Sequence, residues 1–478
     1  MAMYIERYRE VLDRLNKTIW ASAETRFDEY HSVAAQLELL KQVGFKVEQS
    51  VAGMDTAYMA ALGDGKPVIA LLAEYDALDG LSQQADVYEP APRPETTKGH
   101  GCGHNLLGTG IIGAALVLRD YFKEQSLPGT VRIYGCPGEE GGSGKVFMAR
   151  AGLFDDVDVA LTWHPSTINA VMTGSMLANI QAYFRFRGTS SHAGAAPHLG
   201  RSALDAVELM NVGVNYMREH MEMADRVHYA VTNTGGQSPN VVQAYAEVLY
   251  LIRSKTTDSV KTLYERVCKI AQGAALMTET EVEVVFDKAC SQVVPNHTLA
   301  KLIHENMVKL GLPDRSEAER SYVKRFSATM PAAIVADDPG QLPPDYLPEI
   351  RRSLIGQHPD GDFILPFAAQ ESLVCASSDM GDVSCLAPLV QLQTACFALG
   401  TQPHSWQWVA QGTSAFALNG TLYASQILAD TTQQLLTHPD LVAQTRDELL
   451  RRTGGSPYTC PIPEAVQPRL LLNPELKR

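Results

Sequence analysis

The 478-residue sequence lacks a long hydrophobic segment. Its longest nearly apolar run extends from Leu106 to Leu118, whereas a membrane-spanning helix needs about 20 apolar residues. The N-terminal stretch, MAMYIERYREVLDRL, has neither the apolar core nor the small-residue cleavage site of a signal peptide. We therefore predict a cytoplasmic protein with no membrane partner.

Positive charge and paired cysteines are also scarce. Lys and Arg number 40 against 54 Asp and Glu, which gives a formal net charge of −14. Proteins that bind polyanions are usually basic, so this balance argues against a nucleic-acid partner but leaves room for a local cationic pocket. The 8 cysteines show no paired spacing, which favours reduced thiols over a disulfide framework.

The sequence contains no repeat or low-complexity tract, and its length exceeds that of one typical domain. Strand-like and helix-like segments alternate in the first half: VIALLAEY, the helix from Leu106 to Phe122, VRIYGCP, KVFMARAGLF and DDVDVALTW. This alternation predicts an α/β fold with a mixed, mostly parallel sheet covered by helices.

The pattern changes near Asn179. Alternating strands (IQAYFRFRG, HYAVTN, AEVLYLIR, EVEVVFDKAC) and helices over 201–223 and 258–276 follow in β-α-β-β-α-β order. We predict an inserted α+β, ferredoxin-like lid or dimerisation domain over residues 180–292. The catalytic domain would then comprise 1–179 and 293–478. Residues 311–366, rich in Pro, Asp and Arg, are interpreted as a long loop or peripheral insertion.

Four separate clusters carry His, Cys and carboxylate side chains. They are GHGCGHN (99–105), PGEEGG (137–142), TWHP (162–165) and GTQPHSW (400–406). Each lies where a predicted strand ends or a turn begins, and open α/β sheets build their ligand sites there. Taken singly, each has an ordinary alternative, such as a glycine-rich turn, a solvated acidic turn or a buried histidine.

Together the clusters could hold two closely spaced divalent ions. The candidate ligands are Cys102, His104, Glu140, His164 and His404. Thiolate and imidazole favour zinc, while carboxylate and water also suit manganese. A two-metal site lowers the pKa of a water and polarises a carbonyl oxygen. Glu139, beside a ligand but not needed as one, fits a general base.

In their order and spacing, HGCGHN, CPGEEGGSGK, TWHP, SSHAGAAPHLGRSALDA and PHSWQ resemble the M20 metallopeptidase/amidohydrolase family, and its subfamily D in particular. The resemblance implies that the five candidates are metal ligands and that Glu139 is the catalytic base. It also implies that Asp76 orients a ligand histidine and that His192, usually from the partner subunit, stabilises the oxyanion. Glu74 stands where the wider family has a ligand histidine, and Asn105 where subfamily D typically has Asp.

The resemblance further implies metal-dependent hydrolysis of a small acidic N-acyl amino acid. The best candidate is p-aminobenzoyl-glutamate; other N-acyl amino acids and dipeptides are alternatives. Asn240 matches a position near the substrate carbonyl. Arg253 is either a clamp for a substrate carboxylate or a solvent-facing charge. The same resemblance implies a homodimer or a heteromer with a homologous A subunit.

Two interpretations from other classes compete with this one. The chain could be a non-catalytic binding or regulatory subunit that keeps the fold and a structural metal. A degenerate copy usually loses a ligand or the base, however, and here Glu139 and all five ligand positions are present. A redox protein using Cys102 is disfavoured because no second cysteine lies at CxxC distance.

Overall fold

The computed structural model describes residues 4–337, 348–369 and 372–469. The helices are α1 (Arg9–Ser22), α2 (Tyr30–Gln42), α3 (His104–Gln125), α4 (Gly144–Arg150), α5 (Ala203–Met217), α6 (Thr257–Thr278), α7 (His297–Leu310), α8 (Glu317–Ser327), α9 (Ala332–Asp337), α10 (Pro348–Gln357), α11 (Met380–Leu386), α12 (Trp406–Gln411), α13 (Ala415–Thr437) and α14 (Pro439–Thr453). Within the described ranges, none of them combines the length and apolar character that a bilayer crossing requires.

The strands form one large sheet and two smaller ones. They are β1 (Lys46–Gln49), β2 (Tyr58–Asp64), β3 (Val68–Ala73), β4 (Gly129–Gly135), β5 (Val159–Ser166), β6 (Ala170–Val171), β7 (Ser175–Met176), β8 (Ala178–Arg187), β9 (Arg226–Asn233), β10 (Tyr245–Ser254), β11 (Glu281–Cys290), β12 (Leu373–Val374) and β13 (Leu389–Ala395). The large sheet has the order β1-β2-β4-β3-β5-β13-β6.

The centre of the large sheet is parallel. Strands β4, β3, β5 and β13 run in one direction, and antiparallel strands flank them on both sides. Every residue of β3 is buried, as expected for a strand covered by helices on both faces. The predicted α/β class with a mixed, mostly parallel sheet is confirmed.

Helix α3 packs closely on this sheet and places its first residue, His104, at the sheet edge. A side chain at Gly110 would collide with the Trp163 ring, since an added Cβ would lie 2.5 Å from the indole nitrogen. The Trp163 indole also donates to the Leu107 carbonyl at 2.9 Å. A glycine on the buried face therefore lets helix and strand approach closely enough to fix the start of α3.

Residues from Ala178 to Cys290 form a second, antiparallel sheet of order β11-β8-β10-β9. Helices α5 and α6 pack on one face, against apolar side chains such as Phe184, Phe186 and Tyr250. The element order β8-α5-β9-β10-α6-β11 is the predicted β-α-β-β-α-β order. The opposite face, toward the large sheet, carries polar side chains that matter for the site below.

The segment 311–366 is not simply a long loop, so that alternative was wrong for its described part. It contains α8, α9 and α10. Helix α8 begins with a capping box in which Ser316 and Glu319 bond each other's backbone, and Val323 and Phe326 are buried on its apolar face. The Ser-x-x-Glu spacing is readable in the sequence and predicts this start. The part of the loop prediction at 338–347 lies outside the described residues.

Candidate active site

The parallel strands bring the four clusters to one edge of the large sheet. Strand β3 ends before Glu74 and Asp76, β4 leads into the turn with Glu139 and Glu140, and β5 contains His164 near its end. The chain after β13 leads to the fourth cluster, and the first cluster precedes α3. Carboxyl ends of parallel strands share one edge, so residues far apart in sequence meet there.

Cys102, His104 and His164 form the first group of possible metal ligands, with one donor atom of each within 4.8 Å of the others. Cys102 Sγ lies 3.3 Å from His164 Nε2. The His104 Nδ1 lies 2.9 Å from Asp76 Oδ1. A carboxylate only accepts, so Nδ1 donates to it; in the neutral form that binds a metal, the ring would present its Nε2 lone pair to the cluster.

A second group contains Cys102, Glu140 and His404, again within 4.8 Å. His404 Nε2 lies 3.4 Å from Glu140 Oε1. The backbone amide of His404 donates to the Gly101 carbonyl at 2.8 Å, which ties the fourth cluster to the first. Cys102 belongs to both groups, so its sulfur lies between the two sets of donors.

The donor set fits divalent metal ions. Within the described residues His104 Nε2 and Glu140 Oε1 are buried and make no hydrogen bond. Each has only a charged neighbour, Glu74 Oε2 at 3.3 Å and His404 Nε2 at 3.4 Å. Buried polar atoms normally have partners, so two such atoms in one cluster indicate a missing ligand. Thiolate, imidazole and carboxylate are together the donors of zinc and manganese sites.

Cys102 and Glu140 are held in their charged forms. Burial and the Glu140 carboxylate oppose ionisation of Cys102, but the His164 and His104 imidazoles outweigh them and lower the thiol pKa to about 6. Burial likewise opposes a charged Glu140, yet the His404 and His104 imidazoles hold its pKa at about 2. Anionic ligands are the forms that bind metal.

Glu139 lies beside these groups in a different environment. Burial raises its pKa well above the usual range, and the nearby Glu74 and Asp379 carboxylates add to the effect. One oxygen of Glu139 falls within 4.8 Å of donor atoms on Glu74 and His104. A carboxylate with a raised pKa is suited to accept a proton near neutral pH.

A buried lysine behind the site was not anticipated from the sequence. The Lys145 side chain is fully buried; its Nζ lies 2.6 Å from Glu74 Oε1 and forms an ion pair with Asp379. The Lys145 backbone amide donates to the other Asp379 oxygen at 2.9 Å. One feature of the sequence indicated this burial: Lys145 lies soon after the Glu-Glu turn and is followed by the apolar run from Val146 to Ala149.

The two departures from the family pattern have structural explanations. Glu74 is fixed by Lys145 and lies with Oε2 at 3.3 Å from His104 Nε2. The Asn105 amide donates to Asn16 Oδ1 at 2.7 Å and to the Gly412 carbonyl at 3.0 Å. Asn105 thus joins α3 to α1 and to the end of α12.

The remaining candidates lie on the small sheet and its loops. His192 and Asn240 are exposed, and the loops that carry them are joined by the Ala193 amide and the Asn240 carbonyl at 2.9 Å. Within the described chain no hydrogen bond, ion pair or ring contact links either side chain to the metal-ligand groups. Arg253 is different: it is half-buried and close enough to Glu139 for electrostatic attraction.

The His192 ring is held in one orientation. Its Nδ1 accepts hydrogen bonds from the backbone amides of Gly194 and Ala195 at 3.2 and 3.0 Å. In the neutral ring the proton is therefore on Nε2, which points away from these amides and can donate.

Comparison with known proteins identifies the architecture. The model of peptidase family M20/M25/M40 matches residues 70–339, which is more than half of the chain. The chain belongs to this family. The match extends from β3 through the second cluster, the third cluster and the entire small sheet.

One relative of this M20 chain matches nearly its whole length, and another matches about two thirds of it. It is 45% identical over 470 residues to the B subunit of p-aminobenzoyl-glutamate hydrolase from Escherichia coli (strain K12), covering 97% of this chain and 96% of the relative. It is 31% identical over 326 residues to the Xaa-Arg dipeptidase of Mus musculus, covering 66% and 71%. The implied membership in the M20 family is confirmed, and the chain is a metal-dependent hydrolase of amide bonds.

A solved structure shares the fold. The M20-family peptidase YXEP of Bacillus subtilis, which binds a dinuclear metal centre, has a TM-score of 0.52 and 16% identity, with coverage of 89% of this chain and 99% of that one. At this identity the likeness supports the α/β architecture with its inserted sheet.

Replacing Asp76 should weaken metal binding without unfolding the protein. Asp76 fixes His104 Nδ1 and also accepts the Glu140 backbone amide at 2.9 Å. Loss of such an outer partner typically lowers metal affinity by about 10–100-fold. We expect this loss for Asp76→Asn in a titration with a competing chelator. The exposed Asp79 accepts a hydrogen bond from Thr97 in the same loop and lies outside the ligand groups, so it supplies the control Asp79→Asn, which should bind metal normally. Equal affinities would contradict this role for Asp76.

Proposed function

We propose that this chain hydrolyses the amide bond of N-acyl amino acids, with p-aminobenzoyl-glutamate as its substrate. The observation that carries the proposal is the pair of overlapping ligand groups formed by Cys102, His104, Glu140, His164 and His404, with one oxygen of a further carboxylate, Glu139, within 4.8 Å of a His104 nitrogen. The full-length similarity to the B subunit of p-aminobenzoyl-glutamate hydrolase supports the substrate.

In this proposal Glu139 is the proton carrier. It takes a proton from the attacking water and delivers it to the leaving nitrogen, so that an acid and an amine are released. When bound, two divalent ions, zinc or manganese, would supply the lowered pKa of the water and the polarised amide carbonyl. Asp76 keeps the His104 ring oriented, and a His192 Nε2 donates to the oxygen that becomes negative.

The face of the small sheet toward the site supports an acidic substrate. Arg253 of β10 pairs with Asn179 of β8 on one side and with Arg226 of β9 on the other. Lys288 of β11 pairs with Gln181, which lies two residues along β8 from Asn179. None of these three cations forms an ion pair within the described residues. Burial lowers the Arg253 pKa, so its charge gains from an anionic partner. We assign Arg253 to the substrate carboxylate and Asn240 to the vicinity of its carbonyl.

The position of His192 supports an oligomer. Within the described residues its side chain makes no hydrogen bond or ion pair with the cluster of its own chain, which supports donation from a partner subunit. Exposed apolar side chains lie along α5 and on edge strand β9, among them Leu209, Val212, Tyr216 and Tyr229. We propose a dimer through this surface, either of two identical chains or with a homologous A subunit. Relatives named as the A and B subunits of one hydrolase support the heteromer.

We further propose that residues 180–292 close over the remainder of the chain, 1–179 and 293–478, when substrate binds. Closure would exclude water and bring the cationic face over the substrate.

All eight cysteines are free thiols, which supports a location in the reducing environment of the cytoplasm.

The activity is tested with metal-free protein reloaded separately with Zn²⁺, Mn²⁺ or Co²⁺. Each form is offered p-aminobenzoyl-glutamate, other N-acyl amino acids, dipeptides, and an amide of p-aminobenzoate whose amine lacks any carboxylate. We expect release of p-aminobenzoate and glutamate, and little cleavage of the uncharged amide because it offers Arg253 no anion. If no amide is cleaved, with or without a homologous A subunit, the non-catalytic binding function replaces this one.

A further inference from the structure

A buried arginine joins the turn that carries Glu139 to the small sheet. The Arg26 and Asp287 side chains are 4% and 2% exposed. The guanidinium nitrogens lie 3.0 and 3.3 Å from the two Asp287 oxygens, in the forked geometry that arginine forms with carboxylates. Arg26 Nη1 also donates to the Gly141 carbonyl. One guanidinium therefore bonds both to β11 and to the catalytic turn.

A β-bulge directs Asp287 toward Arg26. The ladder between β11 and β8 shifts register between Phe286 and Lys288, so Asp287 is the extra residue. A bulge re-aims a side chain out of the regular alternation of a strand. Gln181 of β8 donates to the same carboxylate at 2.7 Å. The carboxylate is thereby fixed to two strands of the small sheet.

The segment around Arg26 holds the other end of the turn as well. Glu29 Oε1 accepts the Gly138 backbone amide at 2.9 Å. Glu139 thus lies between two backbone groups that are hydrogen-bonded to side chains of one N-terminal segment: the Gly138 amide, bonded to Glu29, and the Gly141 carbonyl, bonded to Arg26. A turn this rich in glycine has little conformational preference of its own, so its direction depends on its bonds. Two of these come from the Arg26 segment; Asp76 on the Glu140 amide and backbone bonds to the Gly138 carbonyl supply the others.

We propose that Arg26 is a positioning residue that couples the small sheet to the Glu139 turn. When β11 moves, Asp287 moves with it, and the Arg26 guanidinium passes this displacement on to the Gly141 carbonyl. The carboxylate of Glu139 is then correctly placed only while the small sheet is seated. The proposal rests on the proposed role of Glu139 as the proton carrier.

Arg26→Lys is the informative variant. Lysine keeps the charge, but its single ammonium cannot span Gly141 and both oxygens of Asp287. We expect kcat to fall by about 10–100-fold, as for a catalytic group displaced by about 1 Å. KM and bound metal should stay close to the wild-type values. Backbone amide hydrogen exchange in residues 137–142 should become faster, and this readout does not depend on activity.

A matched control separates positioning from stability. Arg185 and the buried Glu247 form a partly buried ion pair, at 2.7 Å, within the small sheet itself. Glu247→Gln should destabilise the sheet yet preserve kcat and the exchange rates of residues 137–142. If it reduces kcat as much as Arg26→Lys does, Arg26 has only a structural role.

A double variant keeps the test valid if Arg26→Lys does not fold. Arg26→Met with Asp287→Leu replaces the whole buried pair by apolar groups, an exchange that is often neutral for stability. We expect a folded, metal-binding protein with the same loss of kcat and the same fast exchange. Wild-type kcat or wild-type exchange in this protein overturns the coupling. A wild-type enzyme without amidase activity would overturn the proposed function instead, while the exchange data would still test the link.

Discussion

Glu139→Gln should reduce kcat by about 10²–10⁴-fold, the usual contribution of a general base. Glutamine preserves the shape of the side chain but accepts no proton, so the attacking water keeps its own. The residual activity should also lose the acidic limb of the kcat/KM profile that protonation of Glu139 produces. Steady-state kinetics over pH, on protein with its metal content measured, would test both expectations.

The neighbouring carboxylate supplies the control for Glu139. Glu140 shares a ligand group with Cys102 and His404, whereas Glu139 falls in a separate group with Glu74 and His104 and is not among the five proposed ligands. Glu140→Gln should therefore lose bound metal, and Glu139→Gln should retain it. A Glu139→Gln protein that holds its metal and turns over at the wild-type rate would remove Glu139 from the mechanism.

Lys145→Met should destabilise the fold by about 3–5 kcal/mol, the cost of breaking a buried ion pair on one side. The change leaves the Glu74 and Asp379 carboxylates buried without their shared cation. Urea unfolding of wild-type and variant protein, both metal-free, would measure the difference. The bidentate pair of Arg132 with the exposed Asp156 is the control. Arg132→Met should cost only about 0–1 kcal/mol, as surface ion pairs do.

The instability of Lys145→Met should depend on pH in a definite direction. Burial already raises the Asp379 pKa in the native protein, and Lys145 opposes that rise. Without Lys145 the folded state holds protons that the unfolded state has released, so the free energy of unfolding falls as pH rises. The loss of unfolding free energy caused by Lys145→Met should thus be smaller at pH 5 than at pH 8. A deficit that is constant over this range would mean that lost packing, not charge, is responsible.

Much of the site could be predicted because its residues lie in short local motifs. Cys102 with His104, and Glu139 with Glu140, are adjacent or nearly so, and each motif follows a strand or opens a helix. The carboxyl ends of parallel strands lie at one edge of the sheet, so motifs at the ends of such strands are predicted to lie close together. The order β-α-β-β-α-β for the small sheet was equally readable from the change in periodicity.

Contacts between distant polar residues could not be predicted in this way. Arg26 and Asp287 are separated by 261 positions, and Lys145 and Asp379 by 234. Each of these residues, read alone, is an ordinary charged side chain, and neither a bulge at Asp287 nor full burial of Lys145 follows from local pattern.

The sequence by itself determined the α/β class, the element order of the small sheet and the motifs that carry the proposed metal ligands. These depend on periodicity and on spacing over a few residues, which the chain carries locally. Only the tertiary structure decided which charges are buried together and how the turn with Glu139 is held. Burial of a charge requires a partner at hydrogen-bonding distance. That distance is set by the packing of strands β3, β8 and β11 and of helix α4, and no local stretch of sequence contains it.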